Sequence, residues 1–393
     1  MGRLIFLFPR FLLMLVLLLI SAAAYAEEPD GVDTIVDGEY KAALVMNAET
    51  GEIVYEKNAH EQYAPASMVK MMLMLLVMEK LENKSIQLSD PVVTSARASK
   101  YGGSQVYLKE GEVFSLEEMM HAIAIHSAND ASVAVAEYLT GSMEGCVDLM
   151  NRRARELGMH DTRFQSVDGL PPRRNQEPDL SSPHDLALLA RQLIRYPRIL
   201  EWASIKSAPF RNGKFTLTNT NKLIGKFPGA DGLKTGYYRK AGYNLTATAS
   251  RDGLRLISVV MGAPTSGTRV KESARLLGVG FNLYKKIQVV KKGEPFGGGI
   301  PVSGGTAKSV AVTAAEDFFI QVRRGQESSI RTVLDFEERI EAPVSKGTTC
   351  GTILVRRGDE EVGRVHAVAV EAVPEAPLFQ KLVSRFLEVS ADW

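Results

Sequence analysis

The stretch Ala64-Pro65-Ala66-Ser67-Met68-Val69-Lys70 begins the segment that decides the fold, a Met- and Leu-rich run over residues 67–81 that predicts a long helix. Ser67 and Lys70 are three residues apart, which places both side chains on one face of a helix. A serine hydroxyl is a weak nucleophile until a base removes its proton, and a lysine can do so where its surroundings keep the amine neutral. Because roughly one Ser-x-x-Lys is expected by chance in a chain of this length, the motif alone is weak.

Two further motifs follow, Ser127-Ala128-Asn129 and Lys234-Thr235-Gly236, and each occurs once. Ser127 lies within a helical region and offers a second hydroxyl for proton transfer, while Asn129 offers an amide that can hydrogen-bond a substrate. The second triplet falls where a strand should begin. It combines a fixed positive charge, a hydroxyl donor and a glycine that lets a substrate backbone approach closely. The three motifs, in this order along the chain, predict one site for nucleophilic catalysis by serine.

The pattern around these motifs predicts an α+β domain that ends near Lys286. A β-hairpin is expected over residues 41–55, a capping box at Ser115-x-x-Glu118, and a tight hairpin turn at Arg251-Asp252-Gly253. Helices are expected in residues 67–81, 116–138 and 186–194, and strands in residues 215–219, 241–249 and 254–261.

A second domain is expected beyond residues 293–305, where Gly and Pro cluster and helical patterning stops. Short strand-like runs separated by turns predict a small all-β sandwich there. We place the two domains at residues 27–286 and 287–375. In residues 376–393 apolar side chains recur at helical spacing opposite charged ones, which predicts an amphipathic helix lying on a membrane surface. A helix packed on its own domain or on a partner is the alternative.

Residues 1–26 have the pattern of a secretory signal peptide. Arg3 and Arg10 precede a short apolar run, and Ala24 and Ala26 form a cleavage site. The run is shorter than the roughly 20 residues of a membrane span, which argues against an uncleaved anchor. We therefore expect an exported protein.

Charge and composition limit the classes of partner and cofactor that are expected. The 393 residues contain 47 Lys+Arg and 46 Asp+Glu, a formal charge of +1, so no nucleic-acid partner is expected. Cys146 and Cys350 are far apart and are expected to be free thiols. The histidines lack ligand spacing, so neither a metal nor another cofactor is expected. The Met cluster in residues 68–74 is expected to pack in the core.

At these motifs the sequence resembles the penicillin-binding serine acyl transferases, and more specifically the low-molecular-mass D-alanyl-D-alanine carboxypeptidases. The resemblance includes Gln165-Ser166-Val167-Asp168-Gly169-Leu170, Asp231-Gly232-Leu233-Lys234-Thr235-Gly236 and Ala241-Gly242-Tyr243-Asn244-Leu245, and it extends to the C-terminal domain and tail. It implies a penicillin-binding/β-lactamase-like transpeptidase domain, an antiparallel sheet flanked by helices, followed by the β domain and an amphipathic helix. It also implies a location in the periplasm, on the outer face of the cytoplasmic membrane.

The resemblance implies a role for each catalytic residue. Ser67 would attack the carbonyl between two D-alanines of a peptidoglycan stem peptide, and Lys70 would take its proton. Ser127 would pass a proton to the leaving amine, and Asn129 would hold the substrate amide. β-Lactams would acylate Ser67 as covalent inhibitors, because their strained amide resembles the scissile bond.

The same resemblance implies the substrate-binding residues. Lys234 and Thr235, with Gly236 beside them, would meet the terminal carboxylate together with Arg269. The backbone N–H groups of Ser67 and Tyr237 would form the oxyanion hole.

Three other functions remain open from the sequence. A DD-endopeptidase that cuts peptide cross-links would use the same residues. A class A β-lactamase has a Glu-x-x-Leu-Asn loop, but here Glu177-Pro178-Asp179-Leu180 is followed by Ser181, and we expect a polar surface loop that also contains residues 171–175. An idle wall-binding scaffold would not require the paired serine and lysine.

Overall fold

The computed structural model describes residues 38–172 and 174–379. The predicted signal peptide, residues 1–26, and all but the first four residues of the predicted tail helix, residues 376–393, lie outside the described residues. In the part of the chain that is described, no helix is both long and apolar enough to cross a membrane.

The bounds of the elements follow. The strands are β1 (Ala42–Asn47), β2 (Ile53–Lys57), β3 (Pro91–Val93), β4 (Val113–Ser115), β5 (Ser207–Phe210), β6 (Phe215–Thr218), β7 (Ala230–Tyr238), β8 (Gly242–Arg251), β9 (Leu254–Ala263), β10 (Tyr284–Val290), β11 (Ile300–Ser303), β12 (Ser309–Val310), β13 (Val312–Ala314), β14 (Phe318–Arg323), β15 (Ile330–Asp335), β16 (Ile340–Glu341), β17 (Thr349–Arg357) and β18 (Glu360–Ala369). The α-helices are α1 (Lys70–Glu82), α2 (Ala96–Ser99), α3 (Leu116–His126), α4 (Asn129–Thr140), α5 (Met143–Glu156), α6 (Pro183–Leu193), α7 (Pro197–Ser204) and α8 (Ser266–Asn282), and 3₁₀ turns span Ala66–Val69 and Glu327–Ser329.

A five-stranded antiparallel sheet in the order β2-β1-β9-β8-β7 carries the N-terminal region. The predicted first hairpin is confirmed, and its turn is fixed by Asn47, whose Oδ1 accepts the N–H groups of Glu49 and Thr50 at 2.9 and 3.3 Å. The predicted turn between β8 and β9 is confirmed too. Asp252 and Gly253 have φ of 50° and 87°, the left-handed values that a two-residue hairpin turn needs.

Helices pack against this sheet, and α1 lies at the centre of their core. Its residues from Lys70 to Met78 are buried, so the helix is enclosed on all sides rather than amphipathic. The Met cluster is confirmed as core packing, since Met68, Met71, Met72 and Met74 are all fully buried. The capping box at Ser115 and Glu118 is also confirmed and begins α3.

The C-terminal region is all β, as predicted. A four-stranded sheet, β13-β18-β17-β15, and a three-stranded sheet, β12-β11-β16, contribute to one apolar core, which includes Ile300, Val310, Ile353 and Val365. β10 and β14 form a further antiparallel pair. β10 crosses the domain boundary predicted between residues 286 and 287, and that boundary stays a prediction.

Candidate active site

Ser67 lies in the 3₁₀ turn that leads into α1, and Lys70 is the first residue of that helix. The prediction that Ser67 opens the α-helix itself is therefore wrong. The shared face is nevertheless retained, because side chains three residues apart eclipse each other in a 3₁₀ turn. The Lys70 Nζ donates to Ser67 Oγ at 2.9 Å.

Lys70 is fully buried, and its Nζ has three hydrogen-bond partners within the described part of the chain. Besides Ser67 Oγ, its Nζ donates to Asn129 Oδ1 at 2.8 Å and to the Asp168 carbonyl at 2.6 Å. Burial lowers the pKa of Lys70 to about 8, although Asp168, Asp179 and Asp130 act in the opposite direction. About a tenth of the amine is thus neutral at pH 7.

The 165–170 segment faces Ser67 from the other side. The Asp168 carbonyl also accepts the Ser67 hydroxyl at 3.2 Å. Gly169 has a φ of 76°, and a Cβ there would stand 2.1 Å from the Ala66 carbonyl oxygen and 2.8 Å from the Ser67 nitrogen. Only glycine fits this contact, so the segment is packed directly onto the nucleophile turn. In the sequence this segment shows only as part of a resemblance, without a role for Asp168.

Ser127 separates α3 from α4, so the helical spacing over residues 116–138 does not form one helix. It has a left-handed φ of 63°, and its N–H still bonds the Ile123 carbonyl at 3.2 Å as a helix cap. α4 then begins at Asn129. The break turns the Ser127 hydroxyl toward Lys234, whose Nζ donates to it at 2.8 Å.

Both the oxygen and the nitrogen of the Asn129 side-chain amide form hydrogen bonds. Its Oδ1 accepts from Lys70, and its Nδ2 donates to the Gly102 carbonyl at 2.7 Å. The structure therefore gives Asn129 a function that the sequence does not reveal, the orientation of Lys70. Its contact with a substrate amide stays a prediction.

Lys234 lies in the middle of β7, not at the start of a strand as predicted. β7 is an edge strand of the five-stranded sheet. Lys234 is buried, and its pKa is lowered well below its ordinary value by burial and by the positive charges of Lys70 and Arg269. Thr235 Oγ1 shares a hydrogen bond of 2.7 Å with Thr220 Oγ1, a residue that no sequence motif singles out.

Gly236 has a structural reason in addition to the one expected. A Cβ at Gly236 would stand 2.2 Å from the Pro65 carbonyl oxygen and 3.2 Å from the Ala66 Cβ. The glycine therefore lets β7 pack against the nucleophile turn, and the close approach of a substrate at Gly236 stays a prediction. This contact brings the Lys-Thr-Gly triplet to Ser67.

Arg269 lies in the first turn of α8 and is buried, not a solvated surface charge. Its Nη1 donates to the Gly236 and Asn244 carbonyls, each at 3.2 Å, and its guanidinium lies 5.6 Å from the Tyr243 ring centroid. Burial lowers the pKa of Arg269 to about 10, which leaves it charged at neutral pH. Among the described residues its buried Nε has no hydrogen-bond partner.

Tyr237 follows the triplet, with a side chain 52% exposed that stacks on Tyr243 at a centroid distance of 4.1 Å. The predicted use of its N–H in an oxyanion hole concerns the backbone and stays a prediction.

The loop around Glu177 is only partly a surface loop. Glu177 is exposed, as expected, and Arg173 lies outside the described residues. Asp179, however, is buried and accepts the N–H groups of Gln165 and Ser166 at 2.6 and 3.0 Å. The expectation of a polar surface loop is therefore wrong at Asp179, which anchors the segment that touches Ser67.

The two cysteines are free thiols, as predicted, and both are buried. Within the described ranges, no group of three or more His, Cys, Asp or Glu side chains could hold a metal ion.

The site can activate a serine. Asn129 Oδ1 and the Asp168 carbonyl are two fixed acceptors for the two protons of a neutral Lys70 amine. The remaining lone pair of Nζ then points to the Ser67 hydroxyl 2.9 Å away, which is the geometry for proton abstraction.

Comparisons with known proteins agree with this chemistry. Residues 28–265 match the family model described as D-alanyl-D-alanine carboxypeptidase, and residues 284–375 match that described as penicillin-binding protein 5, C-terminal domain. The D-alanyl-D-alanine carboxypeptidase DacF of Bacillus subtilis is 36% identical over 93% of this chain and 94% of its own length.

Two solved structures are similar as well. The peptidoglycan synthesis regulatory factor PBP3 of Streptococcus pneumoniae has a TM-score of 0.68 and 30% identity, covering 86% of this chain and 100% of that one. The ampicillin-bound penicillin-binding protein D2 of Listeria monocytogenes has a TM-score of 0.58 and 33% identity, covering 63% of this chain and 98% of that one. The chain therefore belongs to the D-alanyl-D-alanine carboxypeptidase family of serine peptidases, the low-molecular-mass penicillin-binding proteins.

Proposed function

We propose that this protein is a serine DD-carboxypeptidase that removes the terminal D-alanine from peptidoglycan pentapeptides through an acyl-enzyme on Ser67. The observation that carries the proposal is the hydrogen bond of 2.9 Å between Ser67 Oγ and the buried Lys70 Nζ. Ser67 attacks the carbonyl between the two D-alanines, and Lys70 takes its proton. The terminal D-alanine leaves with a free amine, the rest of the peptide stays on Ser67 as an ester, and water then hydrolyses that ester.

Ser127 delivers the proton that the leaving amine requires. Its hydroxyl accepts from Lys234 at 2.8 Å, so it stands between a cation and the reacting centre. The backbone N–H groups of Ser67 and Tyr237 stabilise the negative oxygen of the tetrahedral intermediate.

Lys234, Thr235 and Arg269 receive the terminal carboxylate of the substrate. Burial and the positive charges of Lys70 and Arg269 lower the pKa of Lys234, and a bound carboxylate would act in the opposite direction. The unpartnered Nε of Arg269 is a further donor for it in the described part of the site.

β-Lactams acylate the same serine. Penicillin-binding protein D2 of Listeria monocytogenes, solved with ampicillin and with cefotaxime bound, supports this for the family. Their amide takes the place of the scissile bond, and the resulting ester hydrolyses slowly.

The test is release of D-alanine from a muropeptide ending in D-Ala-D-Ala, compared between the mature protein and its Ser67→Ala variant. We expect release by the parent protein and none above background by the variant. A matched control is Ser204→Ala, which removes a hydroxyl that donates to the Glu201 carbonyl on α7 and should leave the rate unchanged. No release by a folded parent protein that still binds penicillin would move the assignment to cross-link cleavage.

The alternatives lack comparable support. In the β-lactamase alternative Glu177 would activate the deacylating water, yet its side chain is exposed. An idle scaffold would not need two buried lysines hydrogen-bonded to two serines. An endopeptidase would use the same residues and is distinguished by assaying a cross-linked dimer beside the pentapeptide.

We also propose that the protein is exported and held at the outer face of the cytoplasmic membrane. The signal-peptide pattern in residues 1–26 and the amphipathic pattern in residues 376–393 support this. Leu378 and Phe379, at the start of that tail, are exposed. Vesicle co-sedimentation of the mature chain and of a chain ending at residue 375 tests the tail, and only the full chain should bind.

A further inference from the structure

Asp179 is a buried carboxylate outside the three sequence motifs, and its hydrogen-bond partners among the described residues are all donors. Its Oδ1 accepts the N–H groups of Gln165 and Ser166, and its Oδ2 accepts the Ser166 hydroxyl at 2.7 Å. A carboxylate that accepts three hydrogen bonds makes the pattern of the ionised form. Those hydrogen bonds act against burial, which raises the pKa of Asp179.

Ser166 connects Asp179 to the turn that contacts the active site. Its Oγ accepts the Gly169 N–H at 2.8 Å, so one hydroxyl joins Asp179 to the far end of the 166–169 turn. Within that turn, the Asp168 carbonyl accepts from Lys70 at 2.6 Å. Loosening the turn would therefore move an acceptor that orients the base.

Charge is the second link between Asp179 and Lys70. The groups that face Lys70 are Asp168 and Asp179 from the segments beside Ser67, Asp130 from α4, and Lys234 from β7. The three carboxylates stabilise the ammonium form, whereas burial and Lys234 disfavour it. Asp130 is held by the N–H groups of Val106 and Leu108 and has no hydrogen bond to the 166–169 turn among the described residues. Of the three carboxylates, Asp168 lies within the turn, and Asp179 is the one outside it that is hydrogen-bonded to the turn in the described residues.

We propose that Asp179, acting through Ser166, is a positioning residue that fixes the Asp168 carbonyl against Lys70 and sets the pH range in which Ser67 is acylated. This inference rests on the proposed acyl-enzyme on Ser67. It assigns Asp179 no contact with substrate.

The test is the rate of Ser67 acylation by a fluorescent penicillin as a function of pH, with the full mature chain. Asp179→Asn keeps an oxygen for the two N–H groups but removes the charge. Because the ammonium form of Lys70 loses a stabilising carboxylate, the midpoint of the acidic limb should fall by about half a pH unit. Ser166→Ala keeps the charge but breaks the hydroxyl bridge, so the plateau rate should fall about tenfold with the midpoint unchanged.

The matched control is Asp185→Asn, which removes another buried carboxylate, one that accepts from the Asp161 N–H and the Thr162 hydroxyl at 2.8 and 2.7 Å. Its midpoint should equal that of the parent protein. Coincident midpoints for Asp179→Asn and Asp185→Asn, or an unchanged plateau for Ser166→Ala, would overturn the inference.

Two further outcomes have defined meanings. If Asp179→Asn does not fold, Asp179→Glu takes its place, because it retains the charge on a longer side chain. This variant should keep the midpoint of the pH profile and lower the plateau rate. A lowered midpoint would overturn the inference. If the parent protein is not acylated at Ser67, the proposed function fails and this inference fails with it. Normal acylation of the parent with no effect of the variants rejects only the role of Asp179.

Discussion

The catalytic region and the C-terminal β region differ in what they bury. The catalytic region encloses Lys70, Lys234 and Arg269 together with buried carboxylates such as Asp179. In the described residues of the β region, 284–379, no charged side chain is buried, and the core is made of Val, Ile and Ala with one Cys. Buried charges are expensive and persist where partners hold them, so they indicate chemistry in the catalytic region.

The largest effect should come from replacing one buried lysine. Lys70→Gln removes the proposed base, and acylation by penicillin should slow by at least about a thousandfold. Lys285→Gln in the β region is the control, since Lys285 is partly exposed and forms an ion pair with Glu327 at the surface. That variant should acylate at the parent rate, and stopped-flow fluorescence measures both. Equal losses in the two variants would contradict the comparison.

Substituting one glycine in each region tests how tightly the backbone is packed in the catalytic region and in the β region. Gly169→Ala combines a positive φ with a clash against the Ala66 backbone and should cost about 3 kcal/mol of unfolding free energy as well as acylation rate. Gly325→Ala has a φ of 86° but open space around the added methyl, so about 1 kcal/mol is expected, with acylation unchanged. Denaturant unfolding and acylation rates test both; a neutral Gly169→Ala would contradict the tight contact.

A core truncation should separate stability from activity. Ile353 is fully buried in β17, and Ile353→Ala should destabilise the β region by about 3 kcal/mol. Val333→Ala, at a site 45% exposed on β15, should change the unfolding free energy by less than about 0.5 kcal/mol. Acylation below the unfolding transition should match the parent in both. A slower rate in Ile353→Ala would mean that the β core supports the active site.

The smallest effect is expected from pH alone. Burial lowers the pKa of Lys70 to about 8, so the ammonium form dominates below that pH and the reactive amine above it. Acylation should therefore rise about tenfold from pH 7 to pH 9. Unfolding of the β region, which buries no charge in its described residues, should depend little on pH over this range. A flat acylation profile would argue against Lys70 as the base.

Much of the molecule follows from local sequence. The three motifs predict a serine site, the alternating runs predict the β1–β2 and β8–β9 hairpins, and Ser115 and Glu118 predict the start of α3. The loss of helical patterning beyond residues 293–305 predicts the all-β region. These features depend on side chains within one turn or one strand, and a sequence displays such periodicity directly.

The rest was decided by contacts between distant segments. The sequence gives no sign that Ser127 adopts a left-handed conformation or that only glycine at position 236 can pack against Pro65. It also gives no sign that Asp179 is buried and anchors the turn beside Ser67. Each depends on which segment packs opposite, and the pKa of Lys70 depends on how completely those segments exclude water. The sequence by itself determined which groups could react; only the tertiary structure decided which of them are buried, fixed and charged together, because burial and hydrogen bonding between remote segments set those properties.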